Sequence, residues 1–180
     1  MIICNYSVLG IFLPRRGRKS RNKQYLIVFS PPFGGRKHGR LNSYDYIIID
    51  CGLKHELLTV NALTASDYCI VPVQAHFLAS EGIPDVLELV KSVQARFNPR
   101  LKIAGILLTM YQSRPQLCQS VRSSVSEIYG DAIHVFERPI EQTIKIAECP
   151  AVGKSIFEYA PKNPAADSYR SLAREVLQLG

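Results

Sequence analysis

The sequence predicts an α/β domain built on a mostly parallel sheet with helices on both faces. Three observations predict it. From Tyr44 onward, short apolar runs rich in β-branched residues alternate with amphipathic stretches. The runs are apolar throughout rather than at every second position, as strands covered on both faces are. The stretches between them are long enough for the helical crossovers that parallel strands need.

The elements follow in order. Residues 46–50, "YIIID", predict a strand that ends on a carboxylate, and Leu57 to Ala65 predicts a helix. Cys69 to Val73 is a second strand. Pro84 to Phe97 places Val86, Leu89, Val90, Val93 and Phe97 on one helical face. Residues 103–110 form a third strand. Ser113 and Gln116 have the spacing of a capping box, with Leu117, Val121, Val125 and Ile128 as the stripe behind them. Ile133 to Phe136 predicts a strand, and Ala166, Tyr169, Ala173 and Val176 share a face of a last helix. Before Tyr44 only Tyr25 to Phe29 reads as a strand.

Charge divides the chain at the same place. The net charge is +7, yet residues 1–43 hold nine Lys or Arg and no acid, whereas the later 137 residues hold 13 basic and 15 acidic side chains. Two domains are therefore expected: residues 1–43, a basic, poorly ordered or unrelated segment, and residues 44–180, the α/β domain. A basic arm can contact nucleic acid, or can simply be a solvated tail. No apolar run spans a bilayer. Met1 to Leu13 is followed rather than preceded by its positive charges, so it is not read as a secretory signal, and a cytoplasmic protein is expected. The five cysteines are scattered, with no C-x-x-C pair. His55 and His76 follow cysteines by four and seven residues, but further ligands are missing and no metal site is expected.

Six segments then carry a resemblance: "YDYIIIDC", "LLTVNALTASD", "IVPVQ", the "EG" at 81–82, "GILLTMYQSR" and "AECPAVGKSIFEYAPKNPAADSYRSLAREV". Together, over about residues 44–177, they resemble the ParA/Soj partition ATPases, deviant P-loop proteins similar to MinD in fold. The resemblance implies a chromosome- or plasmid-partitioning protein. Such proteins dimerise around ATP and magnesium, bind DNA without sequence preference and respond to a ParB-type partner. It implies that Asp50 matches the Walker B acid. It places Pro72, Gln74, Thr109, Glu148 and Pro150 on the nucleotide face, with Tyr111, Arg114, Gly153 and Lys154 in the same motifs. DNA-binding candidates are Arg122, Lys145 and Lys154, the first two by analogy with the family.

The family's phosphate loop, a KGGVGK[ST]-like stretch near the N-terminus, is not found in this chain. Two stretches imitate it. "FGGRKHGR", residues 33–40, has Gly34, Gly35, Lys37 and Gly39, but no Gly precedes the lysine and no Ser or Thr follows it. Only nine residues separate Arg40 from Asp50, fewer than the roughly 10 to 12 of a β-α-β crossover. "CPAVGKS", residues 149–155, ends in Gly-Lys-Ser but has Glu148 where the first glycine of the loop belongs. Where the family usually has "DCPPSLG" this chain has Asp50, Cys51, Gly52, Leu53, Lys54, His55 and Glu56, without the Pro-Pro turn. The expectation is a truncated ParA-like protein with no ATPase activity, catalytic residue or cofactor of its own. Its alternatives are a nucleotide-independent DNA- or partner-binding regulator on the same scaffold, and a remnant without function.

Overall fold

A computed structural model of the chain describes residues 7–12, 25–29, 46–52, 57–76, 80–114 and 116–179. Five strands form one sheet: β1 (Ser7–Phe12), β2 (Tyr25–Phe29), β3 (Tyr46–Gly52), β4 (Tyr68–Gln74) and β5 (Lys102–Thr109), in the order β2-β3-β1-β4-β5. Helices α1 (Leu57–Ala65) and α2 (Ile83–Arg96) flank β4 in sequence. After β5 come α3 (Gln116–Tyr129), α4 (Ile144–Val152), α5 (Ile156–Tyr159) and α6 (Pro164–Leu177). Among the described residues no helix is long and apolar enough to cross a membrane.

Four of the five strands run the same way, as expected of a mostly parallel sheet, and one, β1, is opposed. β2 runs parallel to β3, with Phe29 opposite Asp50. β1 runs antiparallel to both neighbours, pairing Leu9 with Asp50 on one side and with Ile70 on the other. β3 and β4 are thus parallel to each other with an opposed strand between them. β4 and β5 pair at matching ends, Lys102 N donating to Asp67 O and Ala75 N to Thr109 O, so they too are parallel. An apolar run encodes strand formation but not direction, and "SVLGIF" at 7–12 was not read as a strand at all. Within residues 1–43 the described parts, β1 and β2, are sheet strands. The basic stretches around them lie outside the described residues.

The chain divides into two compact units. The first comprises residues 6–70 and 85–103. In it Leu63, Cys69, Val90, Val93 and Leu101 are buried. Asn98 ties the end of α2 to the end of α1: its Nδ2 donates to Ser66 O at 2.7 Å and to Leu63 O at 3.1 Å, the latter also accepting from Ser66 N at 3.2 Å. Phe97, expected on the buried face of α2, is 58 % exposed because the helix has already ended at Arg96.

The second unit comprises residues 71–84 and 104–180, with residues 1–5 outside the described set. Its buried side chains include Val71, Val73, Ile106, Leu107, Leu108, Phe136, Ala165, Ala166, Tyr169 and Leu172. Residues 133–136 do not form a strand of their own. Val135 makes a single parallel bridge to Ile106, and Ile106 N donates to His134 O while Phe136 N donates to Ile106 O. Gly105 permits that close approach: a Cβ there would sit 2.7 Å from His134 O. α3 starts at Gln116, so Ser113 does not cap it in the expected register, and Gln119 Nε2 donates instead to Ser113 O. Its buried side is Cys118, Val121 and Val125, while Leu117 and Ile128 face solvent.

Burial sets the chemistry of two thiols in the first unit. Burial, and secondarily the charge of Asp50, pushes the Cys51 thiol up to about 12, and burial pushes Cys69 higher still, with a smaller push from Cys51. A raised thiol favours the folded state as long as it is protonated. Its contribution is complete below the ordinary value of 9.0 and is lost as pH rises from there through about 12. Alkylation at pH 8 is therefore expected to leave Cys51 and Cys69 unmodified in the folded chain and to label both in denaturant, read site by site by peptide mass. Rapid labelling of either in the native chain would contradict this environment.

Candidate functional site

Most of the residues singled out in the sequence lie in the second unit, and its segment from Thr143 to Arg170 holds the densest polar network described. Thr143 caps α4, its hydroxyl accepting from Lys145 N at 3.3 Å. Asn163 caps α6, accepting from Ala165 N, and its Nδ2 reaches Thr143 Oγ1 at 3.5 Å. Two helix starts are thereby joined. Arg170 fixes the turn before α6: it pairs with Asp167 at 2.6 Å, donates to Pro161 O and lies 5.3 Å from the centre of the Phe157 ring.

Glu148 is the hub of the segment. Its Oε2 accepts from Lys145 Nζ at 3.0 Å, one turn earlier on α4, and from the Tyr159 hydroxyl at 2.8 Å, on α5. The Lys145 ammonium also sits 5.4 Å from the centre of the Tyr159 ring. The hydrogen bond from Lys145, then that from Tyr159, holds the Glu148 carboxyl below its ordinary range. Glu148 in turn raises both Lys145 and Tyr159. Sequence reading assigned Glu148 to a nucleotide face by resemblance and did not see Tyr159. The i,i+3 spacing of Lys145 and Glu148 was a legible signal, but Tyr159 reaches them only through the turn between α4 and α5.

That turn contains the Gly-Lys-Ser stretch, and its geometry is that of a helix exit followed by a helix entry. Pro150 lies within α4 and Gly153 closes the helix at φ 64°. Gly153 N donates to Pro150 O at 3.3 Å and Lys154 N to Cys149 O at 3.2 Å. Ser155 caps α5 in a reciprocal box: its hydroxyl accepts from Glu158 N, and Glu158 Oε2 accepts from both Ser155 N and Ser155 Oγ. These bonds hold the Glu158 carboxyl below its ordinary range. The amides and hydroxyl that a phosphate cradle would direct at a ligand are thus engaged inside the turn.

The other residues are placed separately. Pro72 is buried within β4. Gln74 ends β4, and its side-chain nitrogen is buried without a hydrogen-bond partner. Thr109 ends β5 buried, its carbonyl accepting from Ala75 N. Met110, at φ 51°, turns the chain sharply after it, a left-handed residue with no sequence signal. Arg114 and Lys154 are exposed. Arg122 is exposed on α3 and donates to Glu137 O at 3.1 Å. Asp50 belongs to the first unit and lies inside β3, which continues two residues past it to Gly52. The chain leaves β2 at Phe29, opposite Asp50, but Gly34, Gly35, Lys37 and Gly39 lie outside the described residues, as does His55. Among the described residues no group of three or more His, Cys, Asp or Glu could hold a metal ion.

Comparison with known proteins gives this arrangement its context. The AAA domain family matches residues 40–103. The chain is 39 % identical over 146 residues to the chromosome-partitioning ATPase Soj of Thermus thermophilus, covering 81 % of this chain and 58 % of the relative. It is 38 % identical over 134 residues to the chromosome partitioning protein ParA of Caulobacter vibrioides, covering 74 % of this chain and 49 % of the relative. A crystal structure of cobyrinic acid a,c-diamide synthase from Mycobacterium smegmatis, with bound ATP analogue and magnesium, superposes with a TM-score of 0.63 at 32 % identity, over 77 % of this chain and 49 % of that one. Fold and similarity together define a P-loop NTPase-like α/β protein. The chain spans about half the length of the curated relatives it matches. Over the matched region it is a member of the ParA/Soj family.

Proposed function

We propose that this chain acts in ParA-like DNA partitioning as a DNA-contacting protein that does not hold or hydrolyse ATP by itself. The observation that carries the second half is the Gly-Lys-Ser turn: its amides and hydroxyl are engaged by Cys149, Pro150 and Glu158, leaving no donor set there for the β- and γ-phosphates. Asp50 is then a Walker B acid by descent. The relatives' names, a partitioning ATPase and a partitioning protein, support the cellular role, and with it a ParA-type dimer partner and a ParB-type regulator.

DNA contact is assigned to Lys145 and Arg122, with Lys154 and the basic stretch of residues 15–40 adding charge. All three side chains are exposed on the second unit. Phosphate contacts need only accessible cations, and each one adds to the salt dependence of binding. A duplex of arbitrary sequence is expected to bind at low salt and to dissociate as salt rises. The double variant Lys145→Ala, Arg122→Ala is expected to weaken binding equally on unrelated sequences and to flatten the log K against log salt slope by about two. An unchanged slope and affinity would remove these residues from the interface.

A further inference from the structure

We infer that Glu148 masks Lys145, so that this carboxylate, fixed by Tyr159, competes with DNA phosphate for the Lys145 ammonium. The inference rests on the assignment of Lys145 to DNA contact and gives that site a built-in brake.

The geometry has three parts. Lys145 lies in the first turn of α4, where the positive end of the helix dipole disfavours a cation. Glu148, one turn on, supplies the balancing charge at 3.0 Å. An exposed i,i+3 pair would ordinarily be loose, since holding two long side chains in one geometry costs rotamer entropy. Here Tyr159 removes part of that freedom. Its hydroxyl donates to the same Glu148 oxygen that Lys145 uses, and its ring lies under the ammonium. Carboxylate, cation and ring form a closed triangle across the turn between α4 and α5. The lowered carboxyl of Glu148 and the raised ammonium of Lys145 agree with that mutual hold.

A DNA phosphate approaching Lys145 has to displace a carboxylate that remains nearby and repels it. The contact is then formed only where other cations of the protein already hold the DNA. Removing the Glu148 charge should release the lysine while leaving α4 in place, because the helix keeps its Thr143 cap and its Gly153 stop.

The test is a cycle on the full chain with fluorescent duplex DNA at low salt, using wild type, Glu148→Gln, Lys145→Ala and the double variant. Glu148→Gln is expected to bind about two- to five-fold more tightly, the range of an exposed ion pair. The gain should vanish when Lys145 is alanine. In parallel, NMR titration of isotopically methylated lysines should show Lys145 losing its upward shift in Glu148→Gln, a readout independent of DNA. Wild-type binding that is sensitive to Lys145→Ala but unaltered or weakened by Glu148→Gln would overturn the brake and leave the DNA assignment standing. An equal gain with and without Lys145 would also overturn it, by making Glu148 a general repulsive charge. If neither wild type nor Glu148→Gln binds DNA, both the brake and the DNA assignment fall.

Discussion

Calorimetric titration of the chain with ATP and magnesium is expected to give no binding heat at micromolar protein, and Asp50→Ala is expected to leave that result unchanged. A triphosphate in a P-loop site is held by several backbone amides, a lysine and a magnesium ligand acting together, and phosphoryl transfer depends almost wholly on that positioning. The Gly-Lys-Ser stretch of this chain has directed those donors inward. Glu158 takes the Ser155 amide and hydroxyl, and two carbonyls of α4 take the amides of Gly153 and Lys154. A phosphate would also meet the Glu158 carboxylate in the place where a magnesium-bound hydroxyl is wanted. Asp50 alone supplies negative charge toward a negative ligand. Tight ATP binding that Asp50→Ala abolishes would overturn this reading and assign a phosphate-binding role to residues 33–40.

The second large effect is on stability, and it separates two isoleucines. Ile106→Ala is expected to lower the unfolding free energy by about 2–5 kcal/mol. Ile128→Ala is expected to change it by no more than about 0.5 kcal/mol. Ile106 is 0 % exposed in the middle of β5, and its backbone bonds to His134 and Phe136 survive the substitution, so the loss is one of packing. Ile128 is 67 % exposed near the end of α3. Urea unfolding with an unchanged m-value measures both. Equal losses would mean that Ile128 is covered in solution.

Ile128 also illustrates what the sequence could and could not convey. The spacing of Leu117, Val121, Val125 and Ile128 marks a helix, and α3 is there. The stripe does not reveal that the buried line is centred on Cys118, Val121 and Val125, because Cys118 stands one position from Leu117, which the apolar spacing places on the buried face. The strands at 46–52, 68–74 and 102–109 were legible because strands buried on both faces are apolar throughout. β1 was not, since a six-residue, mostly apolar stretch in a basic segment carries no period, and no local feature states which way a strand will run. At the site, the Glu148 and Lys145 positions came from the family resemblance, whereas their pairing was not read from the sequence, although an i,i+3 spacing permits it on a helix. Tyr159 joins them only because Gly153 and Ser155 turn the chain back, a tertiary event that composition does not record. The decoy character of "CPAVGKS" was visible in Glu148, yet the reason it fails, donors already committed to helix ends, needed the hydrogen bonds.

The opposed strand at the middle of the sheet has a consequence for biosynthesis. Leu9 pairs with Asp50 and with Ile70, partners about forty and sixty residues later in the chain. A ribosome adding about 5–20 residues per second makes β1 roughly three to twelve seconds before both of its edges can be covered. Until then the nascent segment offers hydrogen-bonding groups on two sides, and its sequence, "SVLGIF", has no charge to deter pairing with another chain. Residues 1–43 carry nine basic side chains and no acid, and like charges of that kind oppose the association of neighbouring nascent chains. On this view the basic segment guards the newborn chain against aggregation, whatever else it touches in the finished protein.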